Sequence, residues 1–277
     1  PSCPISVSPT AACDTAGKGG DPTMAGESQN FLVTRALVLR EAKYKEADKM
    51  LTLLTEKEGK LSASARGALR KSCKYSAAAQ QLCWAEFTLF HNRGKWTVNE
   101  GSTIEQFLGL RGDLGALALG SYIAELLDAV SDEDFPNSEA LSLGLNSLYA
   151  LSRGLYPPEH IKAVFELRLM CIAGYEPYLD GCSVCGEPEP EHARFALNGG
   201  VLHCASCPSG SPGVSLPLCR DSLAAMRYII SAPPKKIFSF SLGGEAFERL
   251  KNVCEGYVLA QLERGFASLD YWKSVNI

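Results

Sequence analysis

The segment from residue 31 to residue 104 alternates apolar and polar side chains over short runs, which is the period of half-buried β-strands. Turn-forming residues such as Glu58-Gly59 separate these runs and predict hairpins. The predicted strands are Phe31–Arg40, Lys49–Thr55, Lys60–Gly67, Trp84–Phe90 and Lys95–Asn99. Short strands without a long helix among them favour a small β-barrel such as the OB-fold. A small sheet packed against the helices that follow is the alternative.

From Leu108 onward the apolar positions follow the helical period. One buried helix face is formed by Leu119, Ile123, Leu126, Leu127 and Val130. Pro157-Pro158 opens a helix over Ile161–Ala173 that is apolar almost all round, as expected at the centre of a helical bundle. Another helix is predicted to begin after Pro136-Asn137. Two more are predicted over Cys219–Ile230 and Glu245–Phe266.

These patterns predict an α+β protein with several domains, which a length of 277 residues accommodates. Residues 1–29 are rich in Pro, Gly and Ser without periodicity, which predicts a disordered tail. An OB-fold-like, nucleic-acid-binding barrel is expected over residues 30–106. A helical domain is expected over residues 107–180 and 208–277, with a small metal module inserted at residues 181–207.

The metal module is predicted from two Cys-x-x-Cys pairs separated by 18 residues: Cys182 with Cys185, and Cys204 with Cys207. This spacing is typical of a structural zinc site, because each tight turn directs two thiolates at one ion and two turns complete a tetrahedral shell. Gly181 and Gly186 flank the first turn, where a backbone without Cβ bends sharply. We expect one structural Zn²⁺ per chain, with His203 a weaker candidate ligand. Redox dithiols, or disulfides in a secreted protein, are the alternatives.

Composition is typical of a globular protein, with 46% hydrophobic and 21% charged residues. No apolar run approaches the length of about 20 residues that spans a bilayer. The chain has 11 cysteines, of which the metal site accounts for four. Cys83, Cys171 and Cys254 lie within apolar stretches and are interpreted as small buried hydrophobic residues. A reducing, cytoplasmic location is therefore expected.

Positive charge is concentrated near the amino end. Residues 31–75 contain 11 Lys/Arg and 5 Asp/Glu, a net charge of +6, although the whole chain carries −4. Residues 112–152 contain 7 acidic residues and no Lys or Arg. One part of the protein could therefore face a polyanion that another part would repel.

The run from residue 60 to residue 75 combines five cations with small residues and no acid, which lets a phosphate backbone approach closely. Candidate platforms for stacked bases are Tyr44, Tyr75 and Trp96. A solvated loop is the alternative interpretation of this run. The predicted nucleic-acid contacts are Arg40, Lys43, Lys45, Lys60, Arg66, Arg70, Lys71 and Lys74.

Sequence patterns of several enzyme classes are absent. Gly59-Lys60 lacks the upstream glycine and the following Ser/Thr of a phosphate-binding loop. The zinc-deaminase pattern and the Gly-x-Ser-x-Gly nucleophile turn do not occur. The residues therefore indicate none of these enzyme classes. The other hypotheses are a zinc-stabilised protein–protein adaptor that does not bind DNA directly and a thiol oxidoreductase.

Two stretches carry a family resemblance. The run from Glu46 to Gly67 resembles the N-terminal barrel of the RecO family of bacterial DNA repair and recombination mediators. The run from Phe165 to Pro177, followed by Cys182-x-x-Cys185, is similar to that family's central helix and zinc module. The resemblance extends over roughly residues 30–270.

The resemblance implies a non-enzymatic, nucleoid-associated protein that binds single- and double-stranded DNA and anneals complementary strands. It implies that the chain acts with RecR to load a recombinase onto DNA coated by single-strand binding protein. By position, Arg66, Arg70, Lys71 and Lys74 match the family's DNA-binding residues. The helical domain would bind the acidic C-terminal tail of single-strand binding protein. Charge suggests contacts for that peptide at Lys162, Arg168, Arg227 and Lys251.

Overall fold

The computed structural model describes residues 30–207 and 213–276, so the predicted tail over residues 1–29 lies outside the described residues. The described chain forms two compact units. The barrel unit comprises residues 30–106 and 131–142, and the helical unit comprises residues 107–130, 143–207 and 213–276.

The barrel unit contains five strands: β1 (Phe31–Tyr44), β2 (Asp48–Thr55), β3 (Lys60–Ala65), β4 (Trp84–Asn92) and β5 (Lys95–Glu105). They close in the order β1-β2-β3-β5-β4, and pairing of β1 with β4 completes the ring. The β3–β5 pair is parallel, whereas the other neighbouring strands are antiparallel. This confirms the predicted OB-like barrel, and the strands are longer than predicted at β1, β4 and β5.

Alternate side chains of the strands fill the barrel interior, as the sequence pattern predicted. In β3, Leu61, Ala63 and Ala65 are buried. The connection between β3 and β4 also contributes, because Ala78 and Ala79 are buried in the same core. Removing this apolar surface from water stabilises the barrel, by about 25 cal/mol for each Å² buried.

Residues 131–142, which the sequence placed in the helical domain, group with the barrel. Glu133 forms β-bridge pairs with Gly59 and Lys60 at the start of β3. Gly59 has a φ of +66°, and a Cβ there would lie 2.5 Å from the carbonyl oxygen of Phe135. This close main-chain approach explains why a glycine occupies the position.

The helical unit follows a short 3-10 turn over Leu108–Gly112. Its helices are α1 (Leu114–Val130), α2 (Ser138–Ser152), α3 (Pro158–Ile172), α4 (Arg220–Ser231), α5 (Gly244–Gln261) and α6 (Ala267–Val275). Helix α3 is buried on nearly all sides, which confirms its predicted central place. The helix predicted over Glu245–Phe266 is present as α5 but ends five residues earlier than predicted, because the chain turns at Glu263, where φ is +50°. Helix α6 follows the predicted range.

The metal module lies on a small sheet of four strands: β6 (Tyr178–Cys182), β7 (Arg194–Ala196), β8 (Val201–His203) and β9 (Ser215–Pro217). The strand order is β6-β8-β7-β9. Strands β7 and β8 form a hairpin around Asn198-Gly199-Gly200, with Gly200 at a φ of +61°. Within residues 30–207 and 213–276, none of the helices combines the length and apolarity needed to cross a membrane.

Candidate nucleic-acid interface and metal centre

The residues after β3 form a compact basic loop, residues 66–75, whose conformation is held by hydrogen bonds. The Tyr75 hydroxyl donates to the carbonyl of Arg66 at 2.6 Å and so closes the loop. The N–H of Gly67 donates to Asp48 Oδ1 at 2.7 Å. The N–H of Leu69 donates to the carbonyl of Ala47 at 3.0 Å. The basic loop is therefore attached to the β1–β2 turn.

Most of the predicted DNA contacts lie at this end of the barrel, which we call the cationic end. Lys43 pairs with Lys49 across β1 and β2, and Lys45 occupies the turn between those strands. Arg40 lies outside this end, in the middle of β1, because it pairs with Thr52, which pairs with Ser62 of β3. The exposed side chains among the predicted contacts are Arg40, Lys43, Lys45, Arg66, Arg70, Lys71 and Lys74. Six of these seven, from Lys43 to Lys74, thus share one end of the barrel although they are separated by up to 31 positions in the sequence.

Lys60 is separated from this group. It begins β3, and Arg66 follows the last residue of that strand. A strand rises about 3.3 Å per residue, which separates the two positions by about 20 Å. Lys60 lies instead beside the acidic segment that contains Glu133. The acidic segment around Glu133 therefore lies at the end of the barrel opposite the basic loop.

A surface cleft of about 560 Å³ opens beside the basic loop. Its lining includes Arg66, Arg70, Lys74, Tyr75, Asn99 and Glu100. Burial raises the pKa of the Tyr75 hydroxyl, which keeps it a hydrogen-bond donor to the basic loop. The cleft combines cations, an aromatic ring and polar groups, which are the features of a nucleic-acid interface.

The three aromatic candidates differ in exposure. Tyr44 is 45% exposed, and the Lys45 ammonium lies 5.3 Å from the centre of its ring. Tyr75 and Trp96 are partly buried and pack against the barrel core. The Trp96 ring also lies 4.7 Å from the ring of His91. Tyr44 therefore presents the most accessible ring, whereas Tyr75 and Trp96 also support the fold.

The four predicted cysteine ligands converge. Their sulfur atoms all lie within 4.8 Å of one another, and the sulfurs of Cys185 and Cys204 are 3.5 Å apart. A tetrahedral ion with metal–sulfur bonds of about 2.3 Å requires sulfurs about 3.8 Å apart. Gly186 has a φ of +77°, and a Cβ at Gly181 would lie 2.9 Å from the carbonyl oxygen of Glu187. The residues present thus fit one tetrahedral metal ion, and both glycines serve the turn.

The thiols favour a cation among them. Burial raises the pKa of the Cys182 thiol, but backbone N–H groups of Cys185 and its neighbours point at the sulfur and lower that pKa to about 6. Burial and the adjacent sulfurs raise the pKa of Cys204, because a second thiolate would be repelled by the first. Four thiolates at this separation therefore require a positive ion between them. His203 lies outside the cluster, since its ring nitrogens lie 3.1 Å from Ser215 Oγ and 3.2 Å from the carbonyl oxygen of Cys204.

The predicted peptide-binding cations are largely engaged within the helical unit. Lys162 is only 4% exposed, and its ammonium lies 2.8 Å from both Glu166 and Glu255, which argues against Lys162 as a surface contact. The guanidinium of Arg168 donates to the carbonyls at the end of α4. Lys251 pairs with a glutamate one helical turn away at 2.8 Å.

Arg227 connects helix α4 to the metal module. Its Nε donates to the carbonyl of Leu179 at 2.9 Å, before the first cysteine pair. Its two terminal nitrogens donate to Glu189 at 2.5 Å and to the carbonyl of Pro188 at 2.7 Å, after that pair. The sequence showed the charge of Arg227 but not this role, because the three acceptors are brought to it only by folding. Asn99 and Glu100 of the cleft were missed for the same reason.

Comparisons with known proteins agree with this architecture. The family profile described as Recombination protein O N terminal matches residues 30–107, and the profile described as Recombination protein O C terminal matches residues 111–270. The chain is 34% identical over 248 residues to the DNA repair protein RecO of Acetivibrio thermocellus, covering 89% of this chain and 98% of the relative.

Two further relatives with the same description show similar coverage. Identity to the protein of Alkaliphilus metalliredigens is 31% over 246 residues, covering 88% of this chain and all of the relative. Identity to the protein of Symbiobacterium thermophilum is 32% over 239 residues, covering 85% of this chain and 94% of the relative. Since both family profiles match and identity exceeds 30% over most of the length, this chain belongs to the RecO family of DNA repair proteins.

Proposed function

We propose that the chain is a non-enzymatic recombination mediator that binds DNA through the cationic end of its barrel. The observation that carries the proposal is the gathering of six exposed Lys and Arg residues around one end of the barrel in a protein of net charge −4. Each cation that neutralises a phosphate releases a condensed counterion, which is the main source of sequence-independent affinity. The acidic opposite end would direct a strand toward the cations.

Within this proposal the barrel over residues 30–106 is the nucleic-acid-binding domain, and Arg66, Arg70, Lys71 and Lys74 are its principal contacts. Membership of a DNA repair family supports the role. The chain anneals complementary single strands and acts with RecR to load recombinase onto DNA coated by single-strand binding protein. The helical domain takes the acidic tail of that protein, for which Lys251 remains the candidate, because Arg168 is bonded to the end of α4.

The cysteine cluster holds one structural zinc ion in this proposal. Four thiolates suit zinc, and a closed shell leaves no position for a substrate or an activated water. The ion would hold the two Cys-x-x-Cys turns together and so support the small sheet. A cytoplasmic location follows, since reduced thiols are the form that binds metal.

The salt dependence of DNA binding tests the proposal. Fluorescence anisotropy with a labelled single strand should show affinity that falls steeply with salt, because binding releases counterions. Measurement with and without prior coating by single-strand binding protein tests the mediator role. A flat salt response, or no binding, would favour the adaptor without direct DNA contact.

Charge reversal tests the assigned surface. Replacing Arg66, Arg70 and Lys71 with Glu should weaken binding to all sequences alike and make the slope of log affinity against log salt shallower by about 2. Lys57→Glu is the matched control, because Lys57 is exposed in the β2–β3 turn at the opposite end of the barrel. Equal effects of the control and the triple variant would contradict the assignment.

A further inference from the structure

The cleft beside the basic loop forms where two paired strands separate. Strands β3 and β5 run parallel and pair at Ala63 with Trp96 and at Ser64 with Thr97. Beyond these pairs β3 ends at Ala65, whereas β5 continues to Glu105. The chain after Ala65 turns into the basic loop, so the cleft has cations on one wall and strand β5 on the other.

Strand β5 carries a β-bulge at this wall. Its partner register shifts between the pairs Thr88–Glu100 and Leu89–Val98, which leaves Asn99 as an extra residue. In a regular strand consecutive side chains point to opposite faces. Here Val98 is buried while Asn99 and Glu100 are both exposed and line the cleft. Bulges of this kind redirect side chains next to functional sites.

The cleft wall is held closely against the basic loop. Gly101 follows the bulge, and a Cβ there would lie 3.1 Å from both Tyr75 Cβ and the Phe87 ring. The absence of a side chain at Gly101 lets Tyr75 approach the strand. Tyr75 in turn closes the basic loop through its hydroxyl. The spacing of the two walls is therefore set by packing rather than by a free loop.

The cleft contains one carboxylate besides its three cations, which is unexpected for a surface that is proposed to bind phosphate. Glu100 lines the same cleft as Arg66, Arg70 and Lys74. Among the described residues, no hydrogen bond or ion pair engages its carboxylate. The carboxylate repels phosphate, which confines a DNA backbone to the wall formed by the basic loop. It accepts hydrogen bonds only, and nucleobases present N–H donors along their pairing edges.

We propose that this cleft binds one unstacked nucleobase of a single DNA strand, with Glu100 accepting hydrogen bonds from the pairing edge of the base. The flanking phosphates lie against Arg70 and Lys74. The inference rests on the proposed DNA binding and adds a reason for preferring unpaired strands, because the pairing edges of duplex bases are already occupied. A volume of about 560 Å³ lies within the range of ligand pockets and accommodates a nucleotide.

The chemistry of the acceptor predicts an order among bases. Guanine presents two adjacent N–H groups on its pairing edge, which match the two oxygens of a carboxylate. Thymine presents one N–H between two carbonyl oxygens, which the carboxylate repels. Guanine should therefore bind best in the cleft and thymine worst.

The test compares labelled octamers of thymidine with octamers that carry one central guanine, at fixed salt, by fluorescence anisotropy. The native protein should bind the guanine octamer about tenfold more tightly, the size of one good base contact. In Glu100→Gln and Glu100→Ala this ratio should fall close to one, because guanine loses its acceptor while the repulsion of thymine and phosphate is removed and binding of the thymidine octamer rises. Glu139→Gln is the control, because it removes one exposed negative charge from helix α2 and should keep the native ratio.

The outcomes separate this inference from the proposed function. Equal, salt-dependent binding of both octamers by the native protein would overturn the base site and leave DNA binding intact. No binding of either octamer would remove both. A guanine preference that persists in Glu100→Ala would also overturn the assignment. Displacement of the strand by micromolar dGMP would assign the cleft to free nucleotides instead and overturn the proposal.

Discussion

At Gly59 the main chain adopts a φ of +66°, and the backbone of Phe135 leaves no room for a side chain. Gly59→Ala should therefore destabilise the protein by more than about 2 kcal/mol, since a left-handed conformation costs a side-chain-bearing residue about 1–2 kcal/mol before any clash. Urea unfolding at equilibrium measures the change. The matched control is Gly94→Ala, where φ is +73° but nothing lies within 4 Å of the new Cβ. Equal losses at the two positions would show that the Phe135 contact is unimportant.

His160 is buried among aromatic rings of the helical unit. Its ring lies 4.5 Å from the ring of Phe240 and 5.7 Å from that of Tyr156, and Nε2 lies 3.2 Å from the carbonyl oxygen of Phe238. Burial lowers the pKa of His160, although the hydrogen bond to Phe238 opposes this in part.

This lowered pKa predicts a loss of stability in acid. Above the ordinary histidine pKa of about 6.5, the ring is neutral in the folded and in the unfolded chain, so its protonation does not change the free energy of unfolding. As the pH falls below that value, this histidine is protonated in the unfolded chain before it is protonated in the folded chain. The free energy of unfolding therefore decreases until the pH reaches the lowered pKa of the folded state. Urea unfolding at pH 7.5 and 5.5 should show a larger loss for the native protein than for His160→Gln. The same loss in both would contradict the prediction.

At the scale of the element, the metal-binding turn depends on α4 for its position. Arg227 donates to acceptors on both sides of the first cysteine pair. Arg227→Ala should release the zinc ion that we propose for this cluster about tenfold faster, because hydrogen bonds made by a charged group contribute about 1.5–3 kcal/mol each. A coloured chelator measures the release rate. Arg220→Ala is the control, since that side chain is 87% exposed and its contact with Glu189 is a weak one at 4.0 Å. Equal release rates in the two variants would contradict a positioning role for Arg227.

The observed strands and helices differ from the predicted ones mainly at their ends. The starts of the predicted strands agree with the structure to within one residue, because alternation begins where burial begins. Strands β1 and β5 extend beyond the predictions to Tyr44 and Glu105. Their ends carry polar side chains outside the barrel, so pairing with a neighbouring strand maintains them without an apolar pattern. The predicted last helix continued past Glu263, because its left-handed conformation leaves no mark in the apolar pattern, and helix α6 beyond it was not predicted.

At the scale of the whole molecule, the two compact units should respond separately to loss of the metal. Cys204→Ser removes one ligand of the cluster, and metal binding is coupled to folding of the surrounding chain. Hydrogen exchange should then increase in the sheet β6–β9 and at the start of α4, while strands β1–β5 keep their protection. DNA affinity should change less than twofold. Increased exchange in the barrel strands would show that the metal supports both units.

Several features of this protein were determined by sequence alone. The spacing of Cys182, Cys185, Cys204 and Cys207 predicted the cluster, because two residues between thiols fix both to one turn. The alternation of residues 31–104 predicted the barrel, since period-two burial depends on neighbours in the chain. The cations of the basic loop are close in sequence and are therefore also close in space.

Tertiary structure alone decided which distant residues meet. Lys60 belongs to the same charged run as Arg66, yet β3 carries it to the opposite end of the barrel. Lys162 has the charge of a surface residue, yet Glu166 and Glu255 hold it in the interior. Glu100 reaches the cationic cleft only because strand pairing places a bulge before it. Periodicity and spacing act through covalent neighbours, whereas these positions depend on strand closure and helix packing that no local pattern contains.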